Sequence, residues 1–132
     1  MPTYEHMRDA VLTYARCMSE GDIEGILALF TPEAVFEDPV GQEPHIGTAA
    51  IRGFFESGYK QVNGEMLMRP EGEVRVAERH AACAMIVDCA KADEPFWIAT
   101  LDVFVFAEDG LISGMQAYWG KHNFHPLPSP SV

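Results

Sequence analysis

The chain has 132 residues, of which 48% are hydrophobic and 22% are charged, as in a globular domain with a packed core. Its net charge of −11, with no basic cluster or glycine-rich phosphate loop, argues against nucleic acid, anionic membranes and phosphate-bearing ligands. No apolar run is long enough to cross a bilayer, the N-terminus has no signal-peptide core, and three scattered cysteines favour a reducing compartment. We therefore expect one cytoplasmic domain, residues 1–132, that binds a neutral or apolar ligand.

The first third of the chain carries the apolar spacing of helices. Between Thr3 and Glu20 apolar side chains recur every three or four residues, which predicts a helix ended by Gly21. The residues that form this stripe are Met7, Val11, Tyr14 and Met18. The ring of Tyr14 is expected to be buried, and its hydroxyl then needs a partner, for which a backbone carbonyl is the common choice.

Two shorter helices are predicted after Gly21. Asp22 can cap the first, which Pro32 would stop. Its buried face would carry Ile23, Ile26, Leu27 and Phe30. The second is predicted over residues 49–57, with Thr48 as its N-cap and Gly58 as its end.

After Gly64 the pattern changes from helix to strand. The extended segments are residues 65–69, 73–77, 80–90, 95–107 and 111–119. Short loops, among them the hairpin turn at residues 108–110, imply antiparallel pairing. Residues 120–132 hold three of the nine prolines and are expected to be irregular. Helices followed by a strand meander predict an α+β domain with the helices on one face of a sheet.

The strand from Phe96 to Phe106 is apolar on both faces, so both faces are expected to be covered. One face can meet the helices, and the other can meet a second subunit. Asp102 is the one ionisable residue inside this strand. Because no Lys or Arg lies in its strand, or in the next before Lys121, Asp102 is either a neutral acid with a raised pKa or a structural acid bonded to backbone amides.

Asp38 follows an extended segment in which Ala34, Phe36 and Asp38 point to the same side. Pro39 ends regular structure there. One interpretation is a carboxylate fixed at the rim of an apolar interior. The other is an ordinary turn aspartate, which the local sequence alone favours. Together with Tyr14 and Asp102, however, Asp38 completes a set of one base and two buried donors.

These residues lie in segments that resemble bacterial ketosteroid isomerase (steroid Δ5-isomerase). The similar segments are EHM near the N-terminus, GDIEGILALF, FEDPVGQEP around Asp38, GTAAIR followed by Phe54, LDVFVF around Asp102, and WGKHN. The similarity covers nearly the whole chain and is densest from Gly21 to Phe54. Ketosteroid isomerase is itself the standard example of a carboxylic acid kept neutral at pH 7, so that idea comes with the family.

The resemblance implies a fold and an assembly. The expected fold is a cone-shaped α+β domain of three N-terminal helices packed on a strongly curved, mixed, largely antiparallel sheet, as in nuclear transport factor. The resemblance also implies a homodimer formed through the sheet faces. It implies no cofactor and no metal.

The resemblance further implies a reaction. Asp38 would act as general base, moving a proton from C4 to C6 of a 3-oxo-Δ5-steroid through a dienolate to give the 3-oxo-Δ4-steroid. Tyr14 and protonated Asp102 would form the oxyanion hole. The apolar pocket would be lined by Phe54, Met85, Val87, Met115 and Trp119. Spacing alone would make these five residues plain core, and only the resemblance makes them pocket candidates.

Two features depart from the family. Phe55 stands where members often carry a tyrosine whose hydroxyl supports the catalytic tyrosine, so the hydrogen-bond network around Tyr14 is expected to be shorter. Residues 58–70 match poorly and border the expected pocket mouth, which bears on substrate preference.

Two alternative functions remain open on the sequence. One is another enzyme of the broad fold, such as a polyketide cyclase or an epoxide hydrolase. An epoxide hydrolase would need an interior arginine between two carboxylates, and no arginine lies on an inward strand position near Asp102. The other alternative is a steroid or lipid carrier without turnover, which the three intact catalytic positions disfavour. His122 and His125, in the proline-rich tail, are interpreted as solvated side chains rather than metal ligands.

Overall fold

The computed structural model describes residues 1–131, which form three α-helices and eight strands with one 3₁₀ turn at residues 121–123. The helices are α1 (Tyr4–Glu20), α2 (Ile23–Leu27) and α3 (Thr48–Gln61). The strands are β1 (Phe30–Glu37), β2 (His45–Ile46), β3 (Leu67–Pro70), β4 (Arg75–Ala77), β5 (His80–Cys89), β6 (Phe96–Phe106), β7 (Ile112–Tyr118) and β8 (Phe124–His125). Val132 lies outside the described residues.

The strands form one mixed sheet in the order β2-β1-β7-β6-β5-β3, with β4 pairing to β5 and β8 to β6. The pair β1–β7 is parallel and the other pairs are antiparallel. A register shift between Val105 and Phe106 interrupts the β6–β7 ladder, and such bulges increase local twist. The predicted fold class is therefore confirmed: three helices pack on a curled, mostly antiparallel sheet.

Helix α1 forms as its sequence predicts. The Thr3 hydroxyl accepts a hydrogen bond from the His6 backbone N–H at 3.0 Å, which caps the first turn. Gly21 ends the helix in the left-handed conformation, with φ of 69°. The predicted apolar stripe is buried and packs into the core beneath the sheet. This packing carries Tyr14 into the interior.

The prediction of a helix that carries Phe30 and stops at Pro32 is wrong. Helix α2 has only five residues, and Phe30 and Pro32 belong to strand β1. The ladder between β1 and β7 is irregular between Phe30 and Val35. Proline is tolerated in a strand where a regular ladder does not require its missing N–H, so Pro32 does not interrupt β1.

The predicted end of α3 is also wrong, because the helix continues past Gly58 to Gln61. The helix begins at Thr48, one residue before the predicted start, and Gly47 rather than Thr48 is in the N-cap position. Tyr59 explains the extension. Its hydroxyl donates to the Met18 carbonyl of α1 at 2.5 Å, which anchors the turn that follows Gly58. Tertiary contact thus outweighs the weak helix propensity of one glycine.

The tail is more regular than predicted. After Trp119 the chain makes a 3₁₀ turn and adds β8 beside the first residues of β6, with Phe124 opposite Ile98 and His125 opposite Trp97. Beyond β8 the chain is irregular, as expected. Among residues 1–131, no helix combines the length and apolar character that a bilayer crossing requires.

Candidate active site

Tyr14 is held inside the protein by aromatic rings. It is fully buried, and its ring makes edge contacts with Phe104, Phe55 and Phe30 at centroid distances of 5.6, 6.3 and 6.4 Å. Its hydroxyl is buried and has no hydrogen-bond partner within the described residues. A buried hydroxyl without a partner is uncommon and costs free energy, and this one is free to donate.

Asp102 lies on the middle strand of the sheet, beside Cys83 of β5 and Ala117 of β7. It is 2% exposed. The Thr100 hydroxyl donates to one carboxyl oxygen, Oδ1, at 3.1 Å, while Oδ2 is buried with no partner in residues 1–131. Asp102 therefore has one oxygen fixed by its own strand and one oxygen left over.

Asp38 comes directly after β1, where the chain turns at Pro39, and its side chain is only partly buried. The indole N–H of Trp119 donates to its Oδ1 at 2.6 Å. Trp119 follows β7, the parallel neighbour of β1, so the sheet itself brings the two residues together. The hydrogen bond leaves the second carboxyl oxygen, Oδ2, available to act as a base.

A small inner cavity of about 90 Å³ lies at the two carboxyls, and Tyr14 is not among its lining residues. Asp38 and Asp102 both line it, and the rest of its lining is mostly apolar. The residues that line it are Met18, Asp38, Phe54, Phe55, Gly58, Met66, Met68, Val87, Ile98, Thr100, Asp102, Ala117 and Trp119. Its chemistry is that of a ligand pocket with few polar groups in apolar walls.

A second, outer cavity of about 920 Å³ opens from the inner one. Both cavities are lined by Asp38, Phe54, Gly58, Met66, Ile98 and Trp119. Polar side chains at the outer rim include Gln42, Glu43, His45 and Lys121. The two cavities therefore form one path from the surface past Asp38 to Asp102.

The pKa values separate the two carboxyls. Burial raises the pKa of Asp38 to about 6, although the Trp119 hydrogen bond opposes that rise. Burial raises the pKa of Asp102 well above its ordinary value, the negative charge of Asp38 raises it further, and the Thr100 hydrogen bond opposes the rise. With a pKa of about 6, Asp38 is mostly ionised near neutral pH, and burial together with that charge favours the neutral form of Asp102.

The pKa of Tyr14 is also raised well above the usual value for tyrosine, first by burial and then by the charges of Asp102 and Asp38. Tyr14 thus stays protonated across the physiological range and lies within electrostatic reach of both carboxyls. Tyr14 and Asp102 each have a buried oxygen without a partner in the described residues.

The predicted pocket residues divide into two groups. Phe54, Val87 and Trp119 line the inner cavity. Met85 and Met115 line neither cavity on this path, and both are packed in the hydrophobic core. Met85 of β5 lies opposite Thr100, two residue pairs from Val87, which lies opposite Ile98.

Sequence reasoning missed two contacts. The donation from Trp119 to Asp38 was not predicted, although a buried indole N–H usually finds a partner. The lining role of Met18, Met66 and Met68 was not predicted either, because Met18 of α1 lies far in sequence from the other two. As expected from Phe55, no tyrosine hydroxyl of the described residues donates to Tyr14.

The fold and this site define a class: an α+β domain of the nuclear-transport-factor type whose sheet and helices enclose an apolar pocket with buried acids. Comparison with known proteins agrees. A model described as a SnoaL-like domain matches residues 11–115, and the chain belongs to that family. The matched span includes Tyr14, Asp38 and Asp102.

Two curated relatives are similar along most of this chain. The Steroid Delta-isomerase of Nocardioides simplex is 33% identical over 124 residues, covering 93% of this chain and 97% of that protein. Epoxide hydrolase LasB of Streptomyces lasalocidi is 30% identical over 124 residues, covering 91% of this chain but 43% of that protein. The resemblance to steroid isomerases is thereby confirmed, and epoxide hydrolases are relatives as well.

A solved structure is also similar. It is that of SalBIII, described as an epoxide hydrolase/cyclase-like enzyme with a role in pyran ring formation in the polyether salinomycin. It superposes with a TM-score of 0.84 at 27% identity, covering 96% of this chain and all of that one. The relatives thus support an isomerase- or cyclase-type enzyme that acts on a small molecule.

Proposed function

We propose that this protein is a steroid Δ5-isomerase that converts 3-oxo-Δ5-steroids to 3-oxo-Δ4-steroids. The observation that carries the proposal is the pair of unpartnered buried oxygens on Tyr14 and Asp102, of which Asp102 lines the same apolar cavity as the ionisable Asp38. An enolate oxygen would accept both hydrogen bonds. No other group in the described residues competes for them.

The reaction needs only movement of a proton. Asp38 removes a proton from C4, and the electron pair moves through C3 onto the ketone oxygen. Tyr14 and neutral Asp102 donate to that oxygen as its charge develops, in surroundings where such hydrogen bonds are strong. Asp38 then returns the proton to C6. Atoms balance without oxidation or hydrolysis, and Asp38 ends each cycle ionised.

The surroundings of Asp38 suit this shuttle. A carboxyl with a pKa of about 6 is mostly ionised at pH 7 and is still a stronger base than an exposed aspartate. The Trp119 hydrogen bond fixes one oxygen and leaves the other to move between C4 and C6. Met66, Ile98 and Phe54 provide apolar surface for a flat hydrocarbon around it.

The second candidate is an epoxide hydrolase or polyketide-cyclase-like enzyme, and the relatives LasB and SalBIII favour it. In that reaction Asp38 would activate water or a substrate hydroxyl, and neutral Asp102 would donate to the epoxide oxygen. No arginine lines either cavity, so nothing there bridges the two carboxyls as an epoxide hydrolase of this fold was expected to require. This absence favours the isomerase.

One assay decides between these functions. A 3-oxo-Δ5-steroid is mixed with the protein, and formation of the conjugated enone is followed by ultraviolet absorbance. In parallel, an epoxide substrate is incubated in ¹⁸O-labelled water and analysed for labelled diol. The proposal predicts enone without labelled diol. Labelled diol without enone would favour the hydrolase, and steroid binding without either product would favour a carrier.

A homodimer formed through the outer face of the sheet is part of the proposal. Val35 and Leu101 are each 44% exposed there, and Val103 and Val105 line a shallow cavity of about 300 Å³. Apolar side chains together on a sheet face are typical of an interface. Sedimentation at micromolar concentration should give twice the chain mass of 14.6 kDa, and a monomer would contradict this part.

A further inference from the structure

The outer cavity is much larger than the inner cavity. It measures about 920 Å³ against about 90 Å³ for the inner cavity. Known pockets for small ligands range from about 300 to 1,000 Å³, so this volume lies near the upper limit. A ligand whose ketone reaches Asp102 extends past Asp38 into the outer cavity. The volume of that cavity is larger than a compact ring system requires.

Part of the outer cavity wall comes from residues 119–130, here called the C-terminal strap. Its strand β8 pairs with β6 through Phe124 and Ile98. The Phe124 ring lies 5.1 Å from that of Phe96 and 5.7 Å from that of Trp119. All four of these side chains line the outer cavity. The strap therefore completes an apolar wall next to the residue that holds the base.

A single arginine ties the far end of the strap to the sheet. The Arg69 guanidinium of β3 donates to Asp88 of β5 at 2.9 Å. It also donates to the Ser129 hydroxyl at 2.9 Å and to the Pro130 carbonyl at 2.6 Å. A planar group with several donors is suited to holding three acceptors at once. The strap is thus fixed at β8 and again near its end.

The rim of the outer cavity favours no charged substituent. Glu43 and Lys121 are both at the rim and have opposite charges. Gln42 and Gln61 are neutral. By contrast, Trp119 and Phe124 of the strap are aromatic, and such surface stabilises a ligand by removing apolar area from water. The occupant that this wall fits is a hydrocarbon chain.

We propose that the strap forms a subsite for an aliphatic substituent on the ligand ring farthest from the ketone. This inference rests on the proposed function, because the ketone at Asp102 and Tyr14 sets the direction of the ligand. Arg69 is a positioning residue for the subsite, since it acts through the strap. Phe124 contacts the chain directly.

The test uses two 3-oxo-Δ4-steroids that share a ring system. One carries an oxo group on its five-membered ring, and the other carries a branched eight-carbon alkyl chain there. Affinity is measured by fluorescence titration, because Trp119 lines both cavities. The wild type is expected to bind the alkyl ligand at least about tenfold more tightly. In Phe124→Ala and Arg69→Met this preference should fall below threefold.

Two control variants change similar residues away from the strap. Tyr4→Ala removes an aromatic ring that is 45% exposed on α1. Arg75→Met removes an exposed arginine of the neighbouring strand β4. Both should keep the wild-type preference. Equal affinity of the wild type for the two ligands, or an unchanged preference in both Phe124→Ala and Arg69→Met, would overturn the inference.

Failure of the inference is distinct from failure of the proposed function. The titration uses the conjugated ketone, which does not turn over, so it reports on the subsite even if isomerisation is absent. A strap-dependent preference without isomerisation would overturn only the proposed function. Isomerisation of a 3-oxo-Δ5-steroid without any alkyl preference would overturn only the subsite.

Discussion

Asp38 and Asp102 are the same residue type in two regions of one cavity. Asp102 lies inside the sheet, 2% exposed, with one oxygen held by Thr100 and the other unused. Asp38 lies at the end of a strand, partly buried, and receives an indole N–H. The fold thereby separates their pKa values, with Asp38 at about 6 and Asp102 far above its ordinary range. Position within the sheet, rather than residue type, separates the two carboxyls, and on the proposed function one is a base and the other a donor.

The largest effect should come from removing the base. Asp38→Asn keeps the shape of the side chain and an oxygen that can accept from Trp119, but it cannot take a proton from C4. Isomerisation is expected to fall by at least ~10²- to 10⁴-fold. Initial rates of enone formation measure this. Retained binding of the conjugated ketone is the control, and wild-type turnover would remove Asp38 from its role.

Removing either donor should have the next largest effect. Tyr14→Phe and Asp102→Leu each delete one hydrogen bond to the developing oxyanion, at a cost of ~3 kcal/mol, or ~10²-fold in rate. Rates with a saturating 3-oxo-Δ5-steroid measure the loss. Asp102→Asn keeps an N–H donor, so it should retain more activity than Asp102→Leu. A purely structural role of Asp102 would not require this difference in activity.

Phe55→Tyr is the control for this pair. It adds a hydroxyl next to the Tyr14 ring and can act only through Tyr14, so the rate should change by less than tenfold. A near-silent Asp102→Leu beside a strongly impaired Tyr14→Phe would contradict the two-donor account. It would mean that Asp102 is a structural acid and that the site has one side-chain donor.

A smaller effect should appear in the pH profile. The base works only when ionised, so kcat/KM should rise with pH and level off above a midpoint near 6. The Trp119 hydrogen bond lowers the pKa of Asp38, so Trp119→Phe should shift the midpoint to higher pH. At pH 7 the variant should be severalfold slower, and the difference should narrow as pH rises.

The other tryptophan provides the control for that shift. Trp97 packs on His125 at a centroid distance of 4.6 Å and lines neither the inner nor the outer cavity. Trp97→Phe should keep the wild-type midpoint. An unchanged midpoint in Trp119→Phe would mean that the indole does not set the basicity of Asp38.

The sequence predicted the parts of the molecule that depend on local patterns. The stripe of α1 follows from spacing, and burial of Asp102 among phenylalanines follows from its strand. The three site residues came from the family resemblance together with these patterns. Their roles remain proposals, although the structure places their side chains in one region.

The sequence failed where distant contacts decide the structure. The irregular ladder admits Pro32 into β1, and the Tyr59 hydroxyl carries α3 past Gly58. Pairing of β8 with β6 orders part of a proline-rich tail. The bond between Trp119 and Asp38 spans 81 residues, and no local pattern reports such a contact.

The central claim is that Asp102 stays protonated at a pH where Asp38 is ionised. Carbon-13 NMR of protein labelled at aspartate carboxyls tests it directly, with Asp38→Asn and Asp102→Leu used to assign the two signals. We predict that the Asp38 signal titrates with a midpoint near 6, while the Asp102 signal keeps the shift of a protonated acid at the pH where Asp38 is ionised. An Asp102 signal with the shift of a carboxylate at pH 7 would contradict the account.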